Sequence, residues 1–159
     1  MPFENIVHLD DTDWKLLYEL QRDARITYKE LGIRVGLSAP ATAERVRKME
    51  DSMVITGYRV EIDRKKVGLP VTAWIRLSTP KERSAQLNEK LKSIPEIVEC
   101  SRVAGPDSFV MKVSVSSMEH LKHLIDHFSQ YGTSVTSIEL STTVVNRFIE
   151  QKMIQIKDE

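Results

Sequence analysis

Residues 27–51, TYKELGIRVGLSAPATAERVRKMED, hold two short helical patterns joined by Val35-Gly36-Leu37-Ser38, and no other stretch narrows the possible folds as much. Thr27 is placed to cap the first pattern, and Glu30 completes a capping-box spacing. Leu31 and Val35, at i and i+4, give that helix one apolar face. Gly36 suits the left-handed residue that ends a helix, Leu37 can plug the space between the helices, and Ser38 is a good cap for the second. Pro40 falls in the first turn, where its missing N–H does no harm. Thr42, Val46 and Met49 then share one face, leaving Ser38, Ala41, Arg45 and Lys48 on the other.

An earlier segment, capped by Asp11 or Thr12 and closing at Asp23-Ala24-Arg25, contributes Trp14, Leu17, Tyr18 and Leu20 as a third apolar stripe. Together these patterns predict a winged or three-helix helix-turn-helix domain, whose last helix points its start into the DNA major groove. The candidate DNA-binding residues are Ser38, Ala41, Thr42, Arg45, Arg47 and Lys48. For Arg45 the alternative is a structural tie to a neighbouring carboxylate. For the whole unit it is a helical domain that binds protein.

Lys and Arg number 23 and Asp and Glu number 23, so no global basic field holds nucleic acid and any contact must be local. Arg45, Arg47 and Lys48, with Arg59 and Arg64-Lys65-Lys66, supply such a patch against Glu44, Glu50 and Asp51. The single Cys100 excludes an intramolecular disulfide, and the opening Met-Pro-Phe-Glu-Asn lacks the pattern of a secretory signal. No apolar run approaches a membrane span, so the expectation is a soluble, cytoplasmic protein.

Met53 to Ile62 is β-rich and reads as a connecting strand, with Gly57 marking a bend or bulge. Gly68-Leu69-Pro70 punctuates the chain, which places a helix-turn-helix domain at residues 1–62, a linker at 63–70 and a second domain at 71–159. In that second domain Val71, Ala73, Ile75 and Leu77 alternate as a strand face, and Leu87, Leu91 and Ile94 repeat helically. Ile97 to Ala104 and Phe109 to Val115 are strands around Gly105-Pro106-Asp107. Met118, Leu121, Leu124, Ile125, Phe128 and Tyr131 make a second helix, and Val135 to Val145 the last strand. The order βαββαβ is ferredoxin-like, so the whole chain is α+β. Helices cover only one face of such a sheet. Trp74, with Ile138 or Val135, predicts an apolar patch on the open face that a second subunit buries; Trp74 in the core is the alternative.

With both halves in hand, the chain resembles the Lrp/AsnC family of leucine-responsive and feast/famine transcription regulators over about its whole length. The matching residues are Leu9-Asp10 with Asp13, Asp23-Ala24-Arg25, Leu37-Ser38, Arg45-Val46-Arg47-Lys48-Met49-Glu50, and Ile55-Thr56-Gly57-Tyr58 leading to Ile62-Asp63 and Gly68. The resemblance implies an oligomeric regulator of amino-acid-related genes that bends or wraps double-stranded DNA. It also implies a homodimer assembling further, commonly to an octamer, and a small effector, an amino acid, bound where the C-terminal domains meet. Carried over residue by residue, the effector site falls on Gly105, Asp107 and Ser108, with Thr133 and Ser134; a plain hairpin turn is the alternative.

The sequence departs from the family in two places. Met53 stands where a glycine is usual, so a poor left-handed residue must build the helix exit. The loop after the second strand, usually Gly-x-x-Asp, reads Gly105-Pro106-Asp107-Ser108, with its carboxylate one position early.

His120, His123 and His127 lie at i, i+3 and i+7, within about 60° on one helix. Three residues spanning two turns do not converge on one ion without a further ligand. A polar flank or subunit contact is therefore expected rather than a metal, and no cofactor is expected. There is no Gly-rich phosphate loop, nucleophile motif or purposeful carboxylate pair, so an enzyme is not expected. The remaining rival is an effector-binding oligomerisation adaptor that does not itself bind DNA. The start of the second helix, Ala39-Pro40-Ala41, is poor in base-reading side chains, which points to readout through DNA shape and multiple half-sites.

Overall fold

The computed structural model describes residues 6–154. The opening Met-Pro-Phe-Glu-Asn, which lacks a secretory pattern, lies outside them. Three helices come first: α1 Asp11–Arg22, α2 Tyr28–Val35 and α3 Ala39–Asp51. Strand β1 Val71–Ser78, helix α4 Lys81–Leu91, strands β2 Ile97–Arg102 and β3 Phe109–Val115, helix α5 Met118–Ser129 and strand β4 Thr133–Ile138 follow, with a short 3₁₀ turn at Gln151–Met153. The described residues divide into two compact units, one of residues 6–60 and 144–154, the other of residues 61–143.

In the helical unit the caps are local and strong. Asp10, rather than Asp11 or Thr12, caps α1: its carboxylate accepts from the Asp13 N–H at 2.8 Å while Asp13 accepts from the Asp10 N–H at 3.1 Å. Either carboxylate near the start of α1 satisfies the pattern, and the reciprocal bond selects the earlier one. Thr27 accepts from the Glu30 N–H and caps α2, Gly36 closes it at φ 77°, and Ser38 caps α3. The core joins Leu16 and Leu20 of α1 with Ile26, Leu31, Val46 and Met49. Leu16, absent from the expected stripe, is fully buried, whereas Tyr18 is exposed, because α1 turns a slightly different edge inward.

The connecting strand expected over Met53 to Ile62 does not form. Turns and bends occupy 52–55, and 56–63 run without helix, turn or ladder. A strand needs a partner to satisfy its backbone, and the described residues of this one chain offer none. The helical unit accordingly has no wing among its described residues.

The second unit is a four-stranded antiparallel sheet in the order β2-β3-β1-β4. Its strand-helix-strand-strand-helix-strand succession is the ferredoxin-like one. Ala73, Ile75 and Leu77 of β1 and Phe109, Met111, Val113 and Val115 of β3 face Leu87 and Leu91 of α4 and Leu121, Leu124 and Phe128 of α5. The period-two burial of β1 follows from helices covering one face only.

Trp74 points to the open face, opposite Lys112 and Ser137. Val135 pairs with Arg76 on that face, whereas Ile138 pairs with Ala73 on the helical side, so Val135 is the residue that joins Trp74. β2 ends at Arg102, two residues short of Ala104. β4 spans Thr133–Ile138 rather than Val135 to Val145. Residues 144–154 belong to the helical unit instead, although the sequence places all of 71–159 in the second domain. Phe148 stacks edge-on against Tyr18 at 5.7 Å, and the Gln21 amide exchanges two hydrogen bonds with the Ile149 backbone. The β-rich composition of 139–149 is therefore spent on a tail without a ladder.

Candidate nucleic-acid interface and effector turn

α2 and α3 approach closely because of one residue the motif reading passed over. A Cβ on Gly32 would lie 2.6 Å from the Leu37 carbonyl oxygen and 2.8 Å from Thr42 Oγ1. Thr42 is fully buried, and its hydroxyl donates to the Ser38 carbonyl at 2.9 Å. This corrects its placement among the DNA-binding candidates: Thr42 shares the inward face with Val46 and Met49 and cannot reach a ligand outside. The cue was Gly32 itself, one turn before the junction, where a glycine inside a helix needs a packing reason.

Arg45 is turned toward α1. Its Nη1 donates to Asp10 at 2.7 Å and to Asp13 at 2.8 Å, the same two carboxylates that cap α1. The Asp13 N–H, and then the Arg45 guanidinium, hold the Asp10 carboxyl below its ordinary range, and both carboxylates raise the arginine further. A guanidinium shared between two capping carboxylates fixes the angle of α3 against α1. A second tie, Arg34 to Glu19 at 2.6 Å, links α2 to α1.

The solvent side of α3 is thereby left to Ser38 and Ala41 at its start and to Arg47 and Lys48 further along. Lys48 bridges Glu44 at 2.9 Å and holds that carboxyl below its usual range. Arg47 makes no ion pair among the described residues. Ser38 takes the Ala41 N–H and Pro40 has none, so it is the two cations along the helix that can hold phosphate, and little on its start reads base edges.

In the second unit the five effector candidates gather around the end of β1. Leu77 has Phe109 on one side and Ser134 on the other, and Ser78 pairs with Thr133. Asp107 and Ser108 flank that end from the β3 side. The Ser108 hydroxyl accepts from the Thr79 N–H at 3.1 Å and donates to its carbonyl at 3.2 Å, so it buttresses the strand end. Gly105, at φ 138°, forms the open tip of the turn. Asp107 lies 4.0 Å from Arg76, a partner the sequence reading did not name. Gly132 is packed so tightly that a Cβ would run into the Ser78 carbonyl. The end of β1 thus presents one carboxylate, one guanidinium and exposed backbone, the complement of a zwitterion.

The histidines of α5 do not act as a set. His120 Nε2 lies 2.9 Å from Glu96, His123 lies 3.4 Å from Glu119, and His127 rests edge-on against Phe128 and Tyr131. Among the described residues no three metal-ligating side chains converge, and no helix is long and apolar enough to cross a membrane.

Comparison with known proteins agrees with this division of labour. Residues 9–50 match the AsnC-type helix-turn-helix domain, and residues 71–149 match the Lrp/AsnC ligand binding domain. An uncharacterized HTH-type transcriptional regulator of Bacillus subtilis, YezC, is 42% identical over 135 residues, covering 85% of this chain and 96% of that protein. The chain belongs to the Lrp/AsnC family. Another B. subtilis relative, the HTH-type transcriptional regulator LrpC, is 32% identical over 133 residues, 84% of this chain and 92% of that protein. The LrpC structure superposes with a TM-score of 0.83 at 31% identity over 87% of this chain and 99% of that one. The leucine-responsive regulatory protein of Rhizobium meliloti is 34% identical over 122 residues, 75% of this chain and 78% of that protein.

As an Lrp/AsnC protein the chain is a helix-turn-helix transcription regulator with a ligand-binding domain. Against the family pattern, Met53 does occupy the left-handed region, at φ 59°, where a glycine is usual.

Proposed function

We propose that this Lrp/AsnC regulator is a cytoplasmic homodimer, assembling further, that binds several degenerate DNA half-sites upstream of amino-acid-related genes under control of an amino-acid effector. The observation that carries the DNA half of this reading is the front of α3. With Arg45 tied to Asp10 and Asp13 and Thr42 buried, Ser38, Ala41, Arg47 and Lys48 are left to meet DNA. Such a surface grips phosphates and favours deformable, A/T-rich DNA over a base code.

The effector half rests on the ligand-binding domain and on the end of β1. There Asp107 is placed for an ammonium, with Arg76 and the backbone around Gly105 for a carboxylate, while Ser108, Thr133 and Ser134 shape the floor. The relative named for its response to leucine supports an amino acid as the class. Dimerisation is supported by the open sheet face, where Trp74 and Val135 are exposed apolar residues and the helices lie on the other side.

The test is a gel shift of the full chain on its own upstream region, with and without each of the twenty amino acids, paired with calorimetry. Retarded DNA whose affinity shifts with one or a few amino acids is the expected result. Calorimetric silence from all twenty sinks the effector half. A single short, unbent, invariant footprint bound by one dimer sinks the multiple-site half.

A further inference from the structure

Arg64, Lys65 and Lys66 are the one place where three cations stand in a row, in a chain whose charges otherwise balance. A tight turn of the second unit carries them. The Asp63 carboxylate accepts from the Lys65 N–H at 3.1 Å and the Lys66 N–H at 3.4 Å, and the Asp63 carbonyl accepts from Lys66 at 3.1 Å. At the other end Gly68 is left-handed, at φ 89°. Its N–H donates to the Lys65 carbonyl at 3.3 Å, and the Leu69 N–H donates to the Arg64 carbonyl at 2.8 Å. That pair of bonds is the one that usually closes a helix, placed here on a single turn. Residues 63–69 therefore form a knuckle braced at both ends.

Its charges are not engaged by the protein. Lys65 and Lys66 are exposed and Arg64 is half-buried. None of the three makes an ion pair among the described residues. Asp63, the acid inside the knuckle, is turned onto the backbone, and Glu61 before it pairs with none of the cations. A charge run on an ordinary solvated face needs no such bracing.

Charge and connectivity name the partner. Twelve residues lead from the end of α3 at Asp51 to Asp63, a contour of at most about 40 Å. That is close to one turn of duplex. Both strands carry phosphates along that path, one charge per about 1.7 Å of axis. Lysine ammonium groups suit them, as compact point charges on flexible stems that follow a backbone without reading it. The solvent side of α3 itself offers only Arg47 and Lys48, and Glu44 draws on the second.

We infer that the knuckle at 63–69 is a second phosphate-binding surface, gripping the backbone of duplex DNA beside the stretch that α3 enters. The inference deepens the DNA-binding reading above and rests on it, and it adds a contact outside the helix-turn-helix. Contacts of this kind carry no base code and add affinity together with salt dependence.

The full-length protein tests it on a duplex of its own upstream region, with affinity followed against salt. Lys65→Gln/Lys66→Gln is expected to lower the slope by about two units per protomer engaged. The parent then loses about tenfold more affinity than the variant between about 50 and about 200 mM salt. The melting temperature should stay at the parent's, because both side chains are exposed. Lys81→Gln/Lys122→Gln removes the same charge from two other exposed lysines of the second unit and is expected to leave the slope unchanged. In the unmutated protein, Lys65 and Lys66 should be acetylated readily by a lysine reagent and protected once DNA is bound. An unchanged slope, an equal fall in the control pair, or acetylation indifferent to DNA overturns the knuckle alone. A variant that sediments as a smaller assembly with its slope intact also overturns it, since the knuckle is then a protein contact. A parent chain that binds no duplex overturns the DNA reading and the knuckle together.

Discussion

Replacing Gly32 by alanine separates two opposed effects. Glycine inside a helix costs about 1 kcal/mol relative to alanine, so propensity alone makes Gly32→Ala stabilising. The structure reverses the sign. The new methyl would sit 2.6 Å from the Leu37 carbonyl oxygen and 2.8 Å from Thr42 Oγ1. Overpacking of this kind costs about 1–3 kcal/mol. Displacing Thr42 also breaks the bond from its hydroxyl to the Ser38 carbonyl and leaves a buried hydroxyl unpaired, which adds about 1–3 kcal/mol. After the propensity gain the net is a loss of about 1–5 kcal/mol, a fall in melting temperature of roughly 3–15 °C for a chain of this size.

Thermal unfolding followed by circular dichroism measures it, and DNA affinity should fall in parallel because the start of α3 is displaced from α2. Gly36→Ala is the control: no atom lies within 4 Å of its Cβ, so only the left-handed φ of 77° opposes it. Its cost is about 1 kcal/mol. A Gly32→Ala protein that melts at or above the parent would refute the close-approach argument, because the turn would then yield cheaply.

Three further outcomes follow from the same geometry. Met53→Gly relieves a left-handed methionine whose side chain is 68% exposed, and it should raise stability by about 0.5–1 kcal/mol, read as a shift in the urea midpoint; a lower midpoint contradicts it. Arg45→Ala should lower the melting temperature by several degrees, whereas Arg47→Ala should leave it unchanged and reduce the salt-dependence slope of DNA binding by about one unit. Glu139 is pulled down to about 2, chiefly by the Lys112 ammonium at 2.9 Å and further by Thr142 and Trp74, against the cost of burial. Because the folded value lies below the unfolded one, its contribution is complete above about pH 4.5 and is lost as pH falls toward 2. Acid titration of Glu139→Gln should therefore be flatter than the parent's by on the order of 1 kcal/mol across that window, and parallel curves would contradict it.

Features set by neighbours in sequence were legible before any coordinates. Thr27, Gly36, Ser38 and Pro40 specify caps and a turn through residues at most a few positions away, and all four behave as expected. The inward set of Thr42, Val46 and Met49 followed from the helical period. What escaped depends on distant partners. A tie from Arg45 to a carboxylate is legible as an alternative, but not its partners: they lie 32 and 35 positions earlier, and periodicity places the residue on the outer face without saying that α1 stands there. The Trp74, Lys112 and Glu139 cluster joins three separate segments, two of them in different strands. Strand propensity misled at both ends of the second unit: residues near Val60 and Val145 look like strand, but pairing is a property of two segments and the described chain supplies only one.

The tie at Arg45 also alters how the reading head works. On a bare helix, Arg45 would be the obvious base-reading side chain, since arginine pairs bidentately with guanine. Here two capping carboxylates share its Nη1, and a charge-assisted double bond of that kind is not given up cheaply for one base edge. The head thus exchanges specificity for rigidity: α3 is held by Arg45 and Gly32 at a fixed angle, with Arg47 and Lys48 as its exposed cations and Glu44 drawing on one of them. On the proposed reading, one such head binds DNA weakly and with little discrimination. On the proposed multiple-site reading, selectivity comes from joining heads at a defined spacing.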